Sequence, residues 1–409
     1  DQGYVTYDEY NAAVAETQDM HFEQSSDFER PSVIWSWYAE AVRSDVIADL
    51  AADRGISEST AEHLLYNGGY RIYSCVDMSI QNIIDDIYED HNNMPNPYRS
   101  SSQWLQSAIV VIDPDSGDIV GLSGGTGKKT ANLLTNNATM STRPPGSSFK
   151  PLAVYAPALD LGLVTQRTLV NDSPGLSLSG TSWFPRNSGN SYSGWITIHD
   201  ALVASKNTVA AQLLDKLGLA TSWDYLTNHF GITSLVRDQL VDGRTVTDYA
   251  YAPLALGQLS WGITVREMAQ AYTAFPNDGV MSYGRTYSYI EDADGNIVLL
   301  NPVRQVNAIK ANTAYNMCAM MQDAVAHGTG TDAYFSTTAV AGKTGTTSDD
   351  HDRWFVGFTE YYVAAVWTGY EIPEKMYFTG NPAAQIFRNV MSRIHQGYSW
   401  RSFPDATIG

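Results

Sequence analysis

The sequence predicts a mixed α/β protein of the α+β class, in which an antiparallel sheet is flanked by helices. Three observations carry this expectation. Two β-rich runs, Ser107-Ala-Ile-Val-Val-Ile-Asp113 and Asp118-Ile-Val-Gly-Leu122, flank the turn sequence Pro114-Asp115-Ser116-Gly117 and read as a hairpin. Late in the chain, Trp354-Phe-Val-Gly-Phe358 and Tyr361-Tyr-Val-Ala-Ala-Val-Trp367 repeat that pattern across Thr359-Glu360. Between them, residues from roughly 150 to 275 are mostly helical in periodicity, so strands from both ends of the sequence are expected to meet in one sheet.

The first hundred residues are polar and helical, with candidate helices at Tyr7 to Glu16, Trp35 to Arg54 and Glu58 to Asn67. A β-like run, Tyr70 to Val76, leads into an amphipathic helix from Ser79 to Glu89, and the polar stretch His91 to Ser102 reads as a linker. A boundary near residue 103 follows. After the late strand pair, Pro382 to Gln396 has helical spacing. The longest apolar run, Pro151 to Val164, falls short of the roughly 20 residues of a membrane span and reads as a buried helix. The chain opens at Asp1-Gln2-Gly3 without Met or a signal-like stretch, which is expected of a piece of a longer protein.

Composition excludes several functions. The chain has 409 residues and a formal net charge of −19, and such a surplus of acids argues against nucleic acid as a partner, since phosphate binding depends on Lys and Arg. Cys75 and Cys318 are the only cysteines, so neither a disulfide framework nor a cysteine-rich zinc site is available. The eight histidines show no metal spacing. No metal or cofactor is expected. Gly121 to Thr130 superficially resembles a phosphate loop, but Leu122 stands where the first glycine is required.

The chemistry concentrates in three places. In Arg143-Pro-Pro-Gly-Ser147-Ser-Phe-Lys150, two prolines and a glycine force a turn before a helix, so Ser147 sits near the helix start and Lys150 follows on the same face. A serine hydroxyl needs a neighbour to accept its proton, and a lysine can do so if burial and a second cation lower its pKa. Free N–H groups at the helix start can stabilise an oxyanion. Lys343-Thr344-Gly345-Thr346 lies on a short β-like segment. Alternation puts Thr344 and Thr346 on one face, where two hydroxyls and an ammonium would bind a carboxylate, and Gly345 is expected to leave room for an extended peptide. The Thr346 N–H is the natural second oxyanion donor beside that of Ser147. Between the two, Ser205-Lys206-Asn207 opens a helix, where Ser205 can relay protons among Lys150, Lys343 and a leaving group and Asn207 can hold Lys150 and a substrate amide. Helix capping explains Ser and Asn there equally well. A second Ser-x-Asn, Ser188 to Asn190, is discounted because it lies in a polar loop, and Asp349, Asp350 and Asp352 read as a solvated loop.

The set Ser-x-x-Lys, Ser-x-Asn and Lys-Thr-Gly, in that order, resembles the penicillin-binding proteins and class A β-lactamases. The likeness extends through Ala108 to Gly125, Asn137 to Pro151, Trp195 to Leu214, Leu254 to Gly279 and Val340 to Gly369, which look like class A penicillin-binding protein transpeptidase sequence. The resemblance implies a penicillin-binding/serine β-lactamase-like fold, with a sheet of about five strands and a mainly helical subdomain. It implies an interdomain linker over residues 1–103, resembling the segment after a glycosyltransferase domain, and a transpeptidase domain over 104–409. No glycosyltransferase signature is found in this chain.

The implied activity is a D,D-transpeptidase. Ser147 is acylated by a stem peptide ending in D-Ala-D-Ala, and an amine from a second stem completes the crosslink. Ser147, Lys150, Ser205, Asn207 and Lys343 would be catalytic, with Thr344, Gly345 and Thr346 binding substrate. The implied partners are peptidoglycan stem peptides, as donor and acceptor, and β-lactam antibiotics, with divisome or elongation proteins for the full-length protein. The implied place is the extracytoplasmic face of the bacterial membrane, held by a transmembrane helix outside this chain. A D,D-carboxypeptidase would use the same motifs, and a non-catalytic β-lactam sensor or wall-binding module would keep the pocket without turnover. A class A β-lactamase is disfavoured because no Glu-x-x-Leu-Asn segment lies between Ser205 and Lys343.

Overall fold

A computed structural model describes residues 33–95 and 101–406, together with 6–8, 11, 12 and 14. The chain divides into two compact units, Asp1–Ile34 and Trp35–Gly409. In the first, Tyr7, Asp8, Asn11, Ala12 and Val14 are helical, and the rest of the helix expected there lies outside the described residues.

The second unit opens with helices α1, Trp37–Arg54, and α2, Glu58–Asn67, capped by the side chains of Ser36 and Ser57. Strand β1, Arg71–Ser74, and helix α3, Met78–Tyr88, follow, and Asp77 caps α3 by accepting from the amides of Ser79 and Ile80. The hairpin consists of β2, Gln106–Ile112, and β3, Ile119–Ser123. Its turn is closed by Asp113 Oδ1, which accepts from the Asp115 amide at 2.8 Å, and by Gly117 at φ 76°. The central region contains the ribbon of β4, Leu169–Asp172, with β5, Gly194–Thr197, and helices α4, Ile198–Val203, α5, Asn207–Leu217, and α6, Val265–Tyr272. Strand β6, Tyr287–Glu291, and helix α7, Ala311–Ala326, lead to β7, Ala341–Thr346, β8, Asp352–Phe358, β9, Val363–Gly369, and the final helix α8, Pro382–Ile394.

The main sheet has five antiparallel strands in the order β7-β8-β9-β2-β3. The hairpin and the late strands therefore join through β9 and β2, with Trp367 opposite both Trp354 and Ala108. Both faces are covered, which explains why these strands read as continuous apolar runs rather than alternating ones. Ala108, Val110 and Ile112 face a core shared with Phe149, Leu152, Met268 and Tyr272. Ile109 and Val111 face a second core with Ile80, Ile84 and Ile87 of α3 and Ile386, Phe387 and Val390 of α8. Full burial of one such side chain contributes roughly 1.5–3 kcal/mol, so β2, whose apolar side chains are all inaccessible, is firmly anchored.

Trp35 to Pro95, which precede the boundary expected near residue 103, are part of this compact unit. β1 pairs antiparallel with β6, more than two hundred residues later, and the Tyr38 hydroxyl donates to the carbonyls of Ile119 and Thr286. The central region also holds more strand than its periodicity predicts, because short ribbons such as β4–β5 give too few residues for a period to register.

Candidate active site

Ser147 lies in a tight 3-10 turn, Gly146–Phe149, that opens a helical segment continuing through a wide turn at Pro151–Tyr155 into α-helix at Ala156–Asp160. The expected regular helix is thus three geometries in sequence, because Pro151 has no N–H to close the usual ladder bond. Gly146, at φ 55°, lets this turn meet its neighbours backbone to backbone. A Cβ on Gly146 would stand 2.4 Å from the Thr346 carbonyl oxygen and 2.9 Å from its nitrogen. Helix α6 holds the turn from behind, where the Tyr272 hydroxyl donates to the Ser148 carbonyl at 2.5 Å.

Lys150 and Lys343 are both inaccessible to solvent, and among the described residues no carboxylate stands within ion-pair distance of either. Their ammonium groups converge on Ser205 instead. Lys150 Nζ donates to Asn207 Oδ1 at 2.7 Å and to the Ser205 carbonyl at 2.8 Å, and lies 3.4 Å from Ser205 Oγ. Lys343 Nζ donates to Ser205 Oγ at 2.8 Å and to the Thr344 carbonyl at 3.2 Å. Burial, reinforced by the charge of Lys343, holds Lys150 well below the ordinary amine range, and burial pushes Lys343 down to about 7. None of these bonds goes to Ser147, whose part-buried side chain borders the cleft. Ser205 has φ 56°, a left-handed conformation that is costly for a residue with a side chain.

The lysines lie beneath a cleft of about 970 Å³ bordered by Ser147, Ser205, Asn207, Thr344 and Thr346. Thr344 and Thr346 share a face, as alternation predicts. Thr344 Oγ1 donates to Thr329 Oγ1 at 2.8 Å, and Arg353 Nη1 donates to Thr346 Oγ1 at 3.2 Å. Two hydroxyls, a guanidinium and two amines make this end of the cleft suited to a carboxylate. The structure corrects the expectation for Gly345. Its missing side chain serves the serine turn and not an incoming peptide, since a Cβ there would lie 2.1 Å from the Pro145 carbonyl and 2.9 Å from Ser148 Oγ. Asp352 is likewise no loop residue. It begins β8, 5% exposed, and accepts from Trp367 Nε1 at 2.8 Å.

Sequence reasoning missed three contributors. Lys206 forms an ion pair with Asp172 at 3.0 Å, and Asn187 Oδ1 accepts from the amides of Asn207 and Thr208. The loop carrying Asn187, set aside with its second Ser-x-Asn, forms a wall of the cleft through Asn187, Ser188 and Ser191. Lys206 is marked only as the middle residue of Ser-x-Asn, and no local pattern marks Asp172 or Asn187, because each works through a contact distant in sequence.

Residues 107–392 match the family described as the penicillin binding protein transpeptidase domain. This chain belongs to the penicillin-binding protein transpeptidase family. Among its relatives is penicillin-binding protein 1A of Clostridium acetobutylicum, 33% identical over 401 residues, covering 95% of this chain and 48% of the relative. The penicillin-binding protein 1A of Clostridium perfringens is 30% identical over 420 residues, covering 98% and 60%. The chain thus spans about half the length of the curated relatives it matches. The PonA1 protein of Mycobacterium tuberculosis, solved in complex with penicillin V, shares the fold at a TM-score of 0.71 with 22% identity, over 90% of this chain and 96% of that one. Penicillin-binding protein 1A from Haemophilus influenzae does so at 0.71 with 18% identity, over 98% and 75%. Among the described residues, no helix is long and apolar enough to cross a membrane.

Proposed function

We propose that this chain is a D,D-transpeptidase acting on peptidoglycan stem peptides through an acyl-enzyme on Ser147, and that β-lactams acylate the same serine. The observation that carries the reading is the pair of buried lysines, unpaired with any carboxylate among the described residues, that converge on Ser205 beside the only Ser-x-x-Lys of the chain.

In this reading Lys150, neutral because it is buried beside another cation, takes the Ser147 proton as Oγ bonds to the penultimate D-Ala carbonyl carbon. The backbone amides of Ser147 and Thr346 receive the developing oxyanion, a role supported by the close approach of Gly146 to Thr346. The peptide C–N bond then breaks. The departing D-Ala amine gains the proton from Lys150 through the Ser205 hydroxyl, which accepts from Lys343 and so is polarised toward donating. Thr344 and Thr346, backed by Lys343, hold the terminal carboxylate. An acceptor amine next attacks the ester carbonyl, Lys150 takes its proton, and that proton passes to Ser147 Oγ as the ester C–O bond breaks, restoring the serine hydroxyl and the neutral amine.

Transfer is preferred over hydrolysis in this reading on the likeness to the transpeptidase family. Of the acids bordering the cleft, Asp332 accepts from the Asn381 amide at 2.6 Å, and Asp350 is paired with Arg353 at 3.0 Å and faces Lys375 at 3.6 Å. The natural setting of the whole protein, of which residues 1–103 would be the linker after a glycosyltransferase domain, is the extracytoplasmic face of the bacterial membrane. The test is incubation with a D-Ala-D-Ala pentapeptide and an excess amine acceptor, followed by mass spectrometry. Joined product in excess of hydrolysed tetrapeptide supports the reading, whereas hydrolysed product alone makes the chain a carboxypeptidase.

A further inference from the structure

The turn that presents Ser205 and Asn207 has no cap of its own. Helix α5 begins at Asn207, and the side chain of Lys206 at the capping position accepts nothing. Asn187, from the loop on the cleft wall, replaces it. Its Oδ1 accepts from the Asn207 amide at 2.8 Å and the Thr208 amide at 3.2 Å, while its Nδ2 donates to Asp172 Oδ1 at 2.5 Å and to the Ser191 carbonyl at 3.0 Å. Every bond the carboxamide can make through its two hydrogens and two lone pairs is made, which leaves it one orientation.

Asp172 fixes Asn187 in turn. Its carboxylate is inaccessible to solvent, accepts from the Ser193 amide at 2.8 Å and from Thr208 Oγ1, and pairs with Lys206 Nζ at 3.0 Å. Lys206 Nζ also donates to the Ser191 carbonyl at 3.2 Å. The middle residue of Ser-x-Asn is therefore committed in this chain, closing a ring from Lys206 to Asp172 to Asn187 and back to the Asn207 amide. The two shortest bonds to Lys150 Nζ, from Asn207 Oδ1 and the Ser205 carbonyl, both come from the turn that this ring braces.

We propose that Asn187, locked by the buried Asp172–Lys206 pair, is a positioning residue for acylation, setting the turn whose Ser205 and Asn207 oxygens aim the Lys150 amine. The inference rests on the reading of Lys150 as the base and Ser147 as the nucleophile. Its distinguishing feature is an effect chiefly on the chemical step, since the bonds of Asn187 go to the turn and its brace, while Thr344 and Thr346 hold the carboxylate in that reading.

The experiment is stopped-flow acylation of the whole chain by benzylpenicillin, with reactive sites titrated first so that rates refer to folded protein. The parent, Asn187→Ala and the isosteric Asp172→Asn are compared for the acylation constant k2 and the prior binding constant Ks. We expect k2 per reactive site to fall on the order of 100-fold in Asn187→Ala, as for a misplacement of about 1 Å, and to fall by a smaller factor in Asp172→Asn, with Ks within about twofold of the parent in both. If Asn187→Ala does not fold, Asp172→Asn decides by the same criterion. Parental k2 in the folded variants, or a loss confined to Ks, overturns the inference while leaving Ser147 as the nucleophile. A parent chain that forms no adduct at Ser147 overturns both readings.

Discussion

Lys343 Nζ donates to the Ser205 hydroxyl at 2.8 Å, and this bond joins the two amines of the site, because Lys150 Nζ reaches the same oxygen at 3.4 Å. Burying two amines without a carboxylate partner costs stability wherever they are charged. Here the cost has a use. In the proposed mechanism burial favours the neutral form of Lys150 beside Ser205, and Lys343 is the source of the positive field that a carboxylate or an oxyanion needs.

The lysines make stability depend on pH in a defined direction. Lys343 is lowered from 10.5 to about 7, so between those values the unfolded chain holds a proton that the folded chain has lost. Stability therefore rises with pH through that window, and the lysine penalty is fully present below it. Urea unfolding at pH 6.5 and pH 9 is expected to give a gain for the native chain that shrinks by on the order of 1–3 kcal/mol in Lys343→Met. An identical gain in the two proteins would show that Lys343 stays charged when folded.

Replacing Ser205 separates chemistry from backbone strain. Ser205→Ala keeps a side chain at φ 56° and loses the relay, and Ser205→Gly loses the relay while relieving the conformation. Acylation by benzylpenicillin is expected to slow by about 100-fold or more in both variants, the range of a lost acid–base group, with the melting temperature higher for Gly than for Ala. Recovery of the rate in Ser205→Gly would assign Ser205 a conformational role only.

Gly345→Ala tests the contact between the serine turn and β7. The added methyl would press on the Pro145 carbonyl, so the strand must withdraw from the turn at a cost of about 1–3 kcal/mol. A lowered melting temperature together with slowed acylation is expected. Normal acylation would mean that the turn and strand can separate without consequence for the site.

The residues proposed to carry the chemistry were legible because that chemistry would fix their type and spacing. Ser147 and Lys150 must share a helical face, and Thr344 and Thr346 must share a strand face. The hairpin of β2 and β3 was legible from its turn, whose Asp113, Pro114 and Gly117 have local reasons to be there. What supports the site was not legible. Asn187 and Asp172 act through contacts across the chain, and in sequence they are two more polar residues of a polar stretch. Gly345 was visible as a glycine, but what its missing side chain makes room for depends on Pro145, which only the folded chain brings near. Trp35 to Pro95 carry no chemical pattern, and their place in the fold rests on contacts such as the pairing of β1 with β6.

Thr344 tests the proposed carboxylate subsite. Thr344→Val removes a hydroxyl at nearly constant volume and leaves Thr329 Oγ1 without its partner. A hydrogen bond to a charged group is worth about 1.5–3 kcal/mol, so the prior binding constant for benzylpenicillin is expected to weaken roughly tenfold or more, with a smaller change in the acylation constant. Unchanged binding would move the carboxylate elsewhere in the cleft.

The assignment of Ser147 as the nucleophile is open to intact-protein mass spectrometry after exposure to benzylpenicillin. One persistent adduct is expected, mapping to the peptide containing Ser147 and absent from Ser147→Ala. An adduct of equal yield in Ser147→Ala, or none on the native chain at saturating drug, would contradict it.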